Sequence, residues 1–199
     1  LFLCVAFSGR AAVRYAHMEQ RKLGWTGFPV SVLGLGTVEL GMTYGIGAEA
    51  PPPKEEAIAL LNYAVERGIT YIDTARSYGV AEELIGESGI GSRESVVIGT
   101  KCGSFYDEGE DPRGGELTRL LDEEIGASLR ALRRETIDVL QVHGASAEIV
   151  ERGELIAALR GFKQTGKVRY FGVATRGEEA PIAAVASKFF QAVQVAVSI

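Results

Sequence analysis

The chain has 199 residues, of which 46% are hydrophobic and 24% are charged, and its formal net charge is −5 at pH 7. This length and apolar content predict one sizeable domain with a hydrophobic core, and they exclude a globally disordered chain. The acidic balance without a basic block argues against nucleic-acid and anionic-membrane partners, while the two cysteines are too few for a disulfide framework and fit a reducing, cytoplasmic location.

The first 17 residues differ in character from the rest of the chain. They begin at Leu1 with LFLCVAF, an apolar stretch that has no basic segment before it and is far shorter than the ~20 residues of a membrane span. A clipped signal peptide is one interpretation. We favour another, in which translation begins at Met18, because MEQRKLG is polar and regular. Residues 1–17 are then an upstream extension, and residues 18–199 form the domain.

Strand-like and helix-like segments alternate from Leu33 onward. Helical segments are predicted within KEEAIALLNYAVERG, AEELIGE, LTRLLDEEIGASLRALRRE, ELIAALRGFKQTG and PIAAVASKFF, where apolar residues recur at helical spacing. Between them, SVVIGTK has the continuous apolar centre of a strand that is buried on both faces. The predicted strands span residues 33–37, 70–74, 95–101, 137–143, 168–175 and 192–198.

Repeated strand–helix units predict an α/β fold with a parallel sheet and right-handed crossovers. A doubly wound nucleotide-binding sheet should carry G-x-G-x-x-G in its first turn, whereas LGLGTVELG spaces its glycines differently. The other candidate is a (β/α)8 TIM barrel, which needs about 250 residues and eight strands. Because only six strands are predicted here, we expect an incomplete barrel, either a fragment of a longer protein or one whose missing part is supplied elsewhere.

Four polar side chains follow the ends of three neighbouring predicted strands. Asp73 lies near the end of the second strand and Tyr78 in the loop beyond it, while Lys101 and His143 end the third and fourth strands. In a barrel, functional side chains gather at this edge. Each residue alone has an ordinary structural explanation, such as a turn-forming aspartate or a core histidine. The coincidence of all four favours a functional site.

The chemistry of this quartet is that of an activated acid. A lysine ammonium beside a phenol stabilises the phenolate that remains when the proton leaves. Asp73 would keep Lys101 charged and aimed, and a neutral His143 would donate a hydrogen bond to a substrate oxygen.

Other interpretations of the sequence stay open. A Schiff-base aldolase using Lys101 is one, because a strand-end lysine in a barrel suits imine chemistry. A truncated, non-catalytic barrel is another. Met42 and Tyr44 follow the first strand and are candidates either for a substrate pocket or for packing. Metal catalysis is not expected, because His17 and His143 are the only histidines.

Several separate segments resemble the aldo-keto reductases, in the order of that family. MEQRKLGWTGFPVSVLGLGT resembles the opening hairpin and first strand, and GITYIDTARSYGVAEELIGE resembles the signature around the catalytic aspartate and tyrosine. TKCG, IDVLQVHG and GKVRYFGVAT resemble the lysine strand, the histidine strand and the strand after it. The resemblance covers residues 18–199, about six of the eight units of a barrel, and it implies a hairpin at the barrel floor.

The resemblance also implies a reaction. Asp73, Tyr78, Lys101 and His143 would form the catalytic tetrad, with Tyr78 as the general acid. The protein would reduce an aldehyde, a ketone or a sugar carbonyl to the alcohol, using hydride from NADPH, with NAD as a second candidate cofactor. The implied partner is therefore a small carbonyl substrate.

Cofactor-binding positions follow from the same resemblance. Thr37 and Asp73 would lie near the nicotinamide ribose, and Gln194 would contact the nicotinamide amide. The fifth strand of the family usually ends in Ser-Asn, which binds the carboxamide. Here these positions are Ala174 and Thr175, of which only Thr175 keeps a polar side chain, so a weaker hold on the cofactor is expected.

Overall fold

The computed structural model describes residues 18–45 and 50–196. The expectation for residues 1–17 lies outside the described residues, as do the last residues of the strand predicted at 192–198. Six parallel strands form the main sheet. They are β3 (Leu35–Gly36), β4 (Tyr71–Asp73), β5 (Val97–Cys102), β6 (Ile137–His143), β7 (Val168–Thr175) and β8 (Ala192–Val195), preceded by the hairpin strands β1 (Gln20–Lys22) and β2 (Pro29–Ser31).

The order of the strands distinguishes the two candidate architectures. The strands lie side by side in the order β3-β4-β5-β6-β7-β8, and every neighbouring pair is parallel. A doubly wound sheet reverses its direction of winding at a switch point, which this order lacks. The sheet therefore grows in one direction only, as in a barrel wall, and the described part of the chain contributes six strands to it.

Within the described residues, the five predicted helical segments form helices, and three further short α-helices and one 3-10 helix (Ile90–Ser92) lie in segments that the sequence did not indicate as helical. The predicted helix over PIAAVASKFF was wrong at its end, because Lys188 adopts a positive φ of 56° and turns the chain before Phe189. Among the described residues, no helix is both long and apolar enough to cross a membrane. The helices are α1 (Val38–Gly41), α2 (Lys54–Glu66), α3 (Ala81–Ser88), α4 (Ser104–Asp107), α5 (Gly114–Leu132), α6 (Ala147–Arg152), α7 (Glu154–Gln164) and α8 (Glu179–Ala186).

Helices cover the outer face of the sheet. Leu140 and Phe171 point outward from β6 and β7, and they belong to one buried cluster with Leu121 and Ile125 of α5. Successive residues of a strand point to opposite faces, so the residues between these outward-facing ones point to the concave side. This alternation separates the helix-packed core from the face that carries the polar strand-end residues.

The opening hairpin lies against the amino-terminal ends of the strands. Ser31 of β2 exchanges two hydrogen bonds with Thr70, just before β4, at 2.7 and 2.9 Å. In the connection between β1 and β2, the Trp25 amide donates to the Gln191 carbonyl, just before β8, at 2.8 Å. The hairpin thus closes the floor of the curled sheet, as the family resemblance implied, and leaves the opposite edge open.

Candidate active site

Strand alternation brings the polar side chains of β4, β5 and β6 to the same edge. Asp73 is paired with Gly99 across the sheet, and Lys101, two residues further along β5, is paired with Gln141. His143 lies two residues beyond Gln141 in β6, hence on the same face. Parallel strands end at a common edge, so these side chains meet there.

Lys101 lies at the centre of the cluster. Its side chain is 2% exposed, and its Nζ donates to both carboxylate oxygens of Asp73 at 2.9 and 2.8 Å. The same nitrogen contacts the Thr74 carbonyl at 3.0 Å and the Tyr78 phenolic oxygen at 3.2 Å. The buried ammonium is therefore compensated by one carboxylate and held against the phenol.

Gln141 of β6 supports Asp73 of β4 across the intervening strand β5. It was not singled out from the sequence. It is buried, and its Nε2 lies 3.4 Å from Asp73 Oδ1, next to the Lys101 ion pair. The signal that could have found it is its spacing, because a residue two positions before His143 in a strand faces the same side.

The loop that carries Tyr78 depends on a close approach of two backbones. A Cβ at Gly41, the last residue of α1, would lie 1.9 Å from the Tyr78 carbonyl oxygen and 2.7 Å from the Ala81 nitrogen. The Val80 amide in turn donates to the Gly41 carbonyl at 3.4 Å. Only glycine at position 41 allows the Tyr78 loop to lie against α1 in this way.

The buried carboxylate of Glu82 also holds the Tyr78 loop in place, from α3. Arg76 donates to Glu82 at 2.6 Å and to the Gly79 carbonyl at 3.4 Å, and Thr100 of β5 donates to the other Glu82 oxygen at 2.6 Å. Burial raises the pKa of Glu82, against the opposing effects of the Thr100 hydrogen bond and the Arg76 charge. Glu82 thus ties the Tyr78 loop to α3 and β5, a role that its acidic helix sequence did not indicate.

His143 faces Tyr78 across the site. The ring centroids are 6.5 Å apart, with the planes at 80°. His143 Nδ1 lies 3.1 Å from Oδ2 of Asp107, the last residue of α4, which sequence reasoning also missed. Burial lowers the pKa of His143, and the Asp107 charge opposes that shift.

Of the other predicted site positions, one group lies near the ends of β3 and β4, and a second group lies in β7 and β8. Thr37 is buried, and both its amide and its hydroxyl donate to the Asp73 carbonyl, so it fixes the end of β4. Met42 lies beside the Tyr78 loop, because a Cβ at Gly79 would be 3.5 Å from the Met42 Cβ. Tyr44 follows it and is 57% exposed.

Thr175 is the last residue of β7, and Gln194 is the third of the four residues of the adjacent strand β8. Thr175 is buried, and its hydroxyl has no hydrogen-bond partner among the described residues. Gln194 of β8 is exposed and is paired with Ala174, the neighbour of Thr175. These two positions offer a hydroxyl and an amide that the rest of the described chain leaves available.

Comparisons with known proteins agree with this architecture. The chain is 32% identical over 161 residues to the uncharacterized oxidoreductase YqkF of Bacillus subtilis, covering 79% of the chain and 49% of the relative. It is 34% identical over 166 residues to L-galactose dehydrogenase of Arabidopsis thaliana, covering 78% of the chain and 48% of the relative. The chain therefore spans about half the length of these curated relatives.

A solved structure supports the incomplete barrel directly. The holo form of an aldo-keto reductase from Bacillus halodurans matches with a TM-score of 0.72 and 27% identity, covering 92% of this chain and 58% of that one. The predicted α/β barrel with missing strands is thus confirmed. The model of the aldo/keto reductase family matches residues 32–198, and the chain belongs to that family.

Proposed function

We propose that this chain carries the active site of an NAD(P)H-dependent oxidoreductase that reduces an aldehyde or a ketone to the alcohol. The observation that carries the proposal is the contact of the buried Lys101 ammonium with the phenolic oxygen of Tyr78, at 3.2 Å, while Asp73 compensates its charge. A phenol held in this way is suited to give up a proton to a polar group that enters the site.

The positions of these groups support a proton transfer from Tyr78 to the substrate. Tyr78 donates its hydroxyl proton to the carbonyl oxygen of the substrate as negative charge develops there. The phenolate that remains lies beside the Lys101 ammonium, which stabilises it through their opposite charges. Asp73 holds Lys101 in place with two hydrogen bonds, and Gln141 supports Asp73.

Gln194 fits a nicotinamide carboxamide, because its exposed amide offers both a donor and an acceptor and its pairing with Ala174 puts it on the concave face that also carries His143. Thr175, one residue beyond Ala174, alternates to the face of Val173, and its buried hydroxyl at the end of β7 lacks a partner among the described residues. Thr37 and Asp73 would flank the ribose. When bound, the reduced nicotinamide supplies a hydride to the carbonyl carbon. NADP is the cofactor that we propose, as the family resemblance implies, with NAD as the second candidate.

We propose that the substrate binds at the exposed end of the site. Met42 lies beside the Tyr78 loop, Tyr44 follows it two residues later with an exposed side chain, and we propose that both contact the substrate. The name of the Arabidopsis relative, L-galactose dehydrogenase, supports sugars among the candidate substrates, besides simple aldehydes and ketones.

The contacts of Lys101 disfavour the aldolase alternative. Imine formation needs a neutral amine with a free lone pair, whereas Lys101 Nζ donates to three neighbouring groups, including a carboxylate. No observation of the site favours imine chemistry over proton donation.

Carbonyl-dependent oxidation of NADPH by the purified chain tests the proposed function. A panel of aldehydes, ketones and sugars should contain substrates that consume NADPH and yield an equal amount of alcohol. A parallel sample is treated with borohydride in the presence of each carbonyl compound. Covalent trapping on Lys101 without consumption of NADPH would instead support the aldolase.

A further inference from the structure

Asp107 places a negative charge against one particular nitrogen of the His143 ring. Its Oδ2 lies 3.1 Å from Nδ1. An ionised carboxylate only accepts hydrogen bonds, so a hydrogen on Nδ1 is attracted to it, whereas a lone pair on Nδ1 is repelled. A neutral imidazole carries one hydrogen, which this contact therefore favours on Nδ1 rather than on Nε2.

The backbone around the pair holds Asp107 in this position. Gly144, directly after His143, has a φ of +68°, and a Cβ there would lie 2.4 Å from Asp107 Oδ1 and 3.1 Å from the Asp107 nitrogen. The Gly144 amide also donates to the Ala174 carbonyl at 3.1 Å, which fixes the end of β6 to β7. Only a residue without a side chain allows Asp107 to approach the ring this closely.

We propose that Asp107 is a positioning residue that holds neutral His143 in the Nδ1–H form, which leaves Nε2 with the lone pair of a hydrogen-bond acceptor. The role of the histidine in the site rests on the function proposed above, but the position of the proton does not. The proposal reverses the expectation from sequence that a neutral His143 donates to the substrate oxygen. Tyr78 is then the donor to the carbonyl while His143 is neutral, and the imidazolium adds a second donor at lower pH.

The charges around the ring determine the direction in which the pKa of His143 should change when Asp107 is replaced. Burial lowers the pKa of His143, Asp107 opposes this, and more distant charges act in both directions. Loss of the Asp107 charge should therefore lower the pKa of His143 further. The groups that face the ring from neighbouring elements are Asp107 of α4, Lys101 of β5, Asp73 of β4, Tyr78 after β4 and Arg176 after β7.

Nitrogen-15 NMR of the imidazole rings in the full chain tests the proposal without substrate or cofactor. The chain has two histidines, and His17→Gln identifies the signals of His143. Neutral His143 should be protonated at Nδ1 in the parent chain. Asp107→Ala should move the proton towards Nε2 and lower the pKa of His143. Glu108→Gln, at the next and exposed position, removes the same charge as a matched control and should leave the tautomer unchanged.

Each outcome decides the proposal. A neutral parent ring protonated at Nε2, or an Asp107→Ala ring with the tautomer and pKa of the parent, would overturn it. If Asp107→Ala does not fold, Asp107→Asn keeps the shape of the side chain and should still lower the pKa of His143, because its amide carries no charge. Absence of NADPH-dependent reduction would count against the proposed function and would leave the NMR result standing.

Discussion

Replacing Tyr78 with phenylalanine is expected to lower kcat for carbonyl reduction by about 10²–10⁴-fold, the usual contribution of a general acid. The substitution removes only the hydroxyl that lies 3.2 Å from Lys101 Nζ. The ring, whose centroid is 4.7 Å from the same nitrogen, stays in place to pack against it. Binding of NADPH should therefore persist while turnover is lost, which a titration and a turnover assay on the same sample measure together.

Tyr63→Phe is the matched control for this experiment. Tyr63 lies on α2 with half of its surface exposed, away from the strand ends, and loss of its hydroxyl should leave kcat unchanged. Turnover of Tyr78→Phe within a few-fold of the parent chain would contradict the assignment of Tyr78 as the acid.

Replacing Lys101 with methionine is expected to damage both stability and activity. The ammonium is 2% exposed and paired with Asp73, so its loss leaves a largely buried carboxylate without a counter-charge. Breaking a buried pair from one side costs roughly 3–5 kcal/mol in the free energy of unfolding. Reduction should fall as well, because the phenolate of Tyr78 would lose the adjacent positive charge. Urea unfolding and turnover measure the two effects.

Two further variants distinguish the effect of breaking the Lys101–Asp73 ion pair from the effect of removing any lysine. Lys163→Met removes an exposed lysine of α7 and should change the free energy of unfolding by less than about 0.5 kcal/mol. Adding Asp73→Asn to Lys101→Met removes the uncompensated carboxylate, so stability should recover in part while activity stays low. A Lys101→Met chain as stable as the parent would be inconsistent with the ion pair seen here.

The parts of the site that lie on strands were predictable from the sequence. Parallel strands end at one edge and alternate their side chains, so Asp73, Lys101 and His143 could be placed near one another from their positions alone. The same rule could have found Gln141, which shares a face with His143 in β6. The alternation of strands and helices likewise predicted the parallel sheet.

The parts that lie in loops were not predictable in this way. Asp107 reaches His143 from α4, a helix of 4 residues that is too short to show helical periodicity in its apolar residues. Glu82 is fully buried although it stands next to another glutamate, and only its partners Arg76 and Thr100 explain why. Long-range pairing of this kind depends on the fold and has no local pattern.

Transfer of deuterium from NADPH that carries deuterium at both C4 positions tests the central claim, that this site delivers a hydride and a proton to a carbonyl. The chain is incubated with labelled cofactor and an aldehyde or ketone, and the alcohol is analysed by mass spectrometry. The account predicts one deuterium on the carbon that bore the carbonyl oxygen, and unlabelled hydrogen on the hydroxyl. An alcohol without deuterium on that carbon, or no alcohol at all, would contradict it.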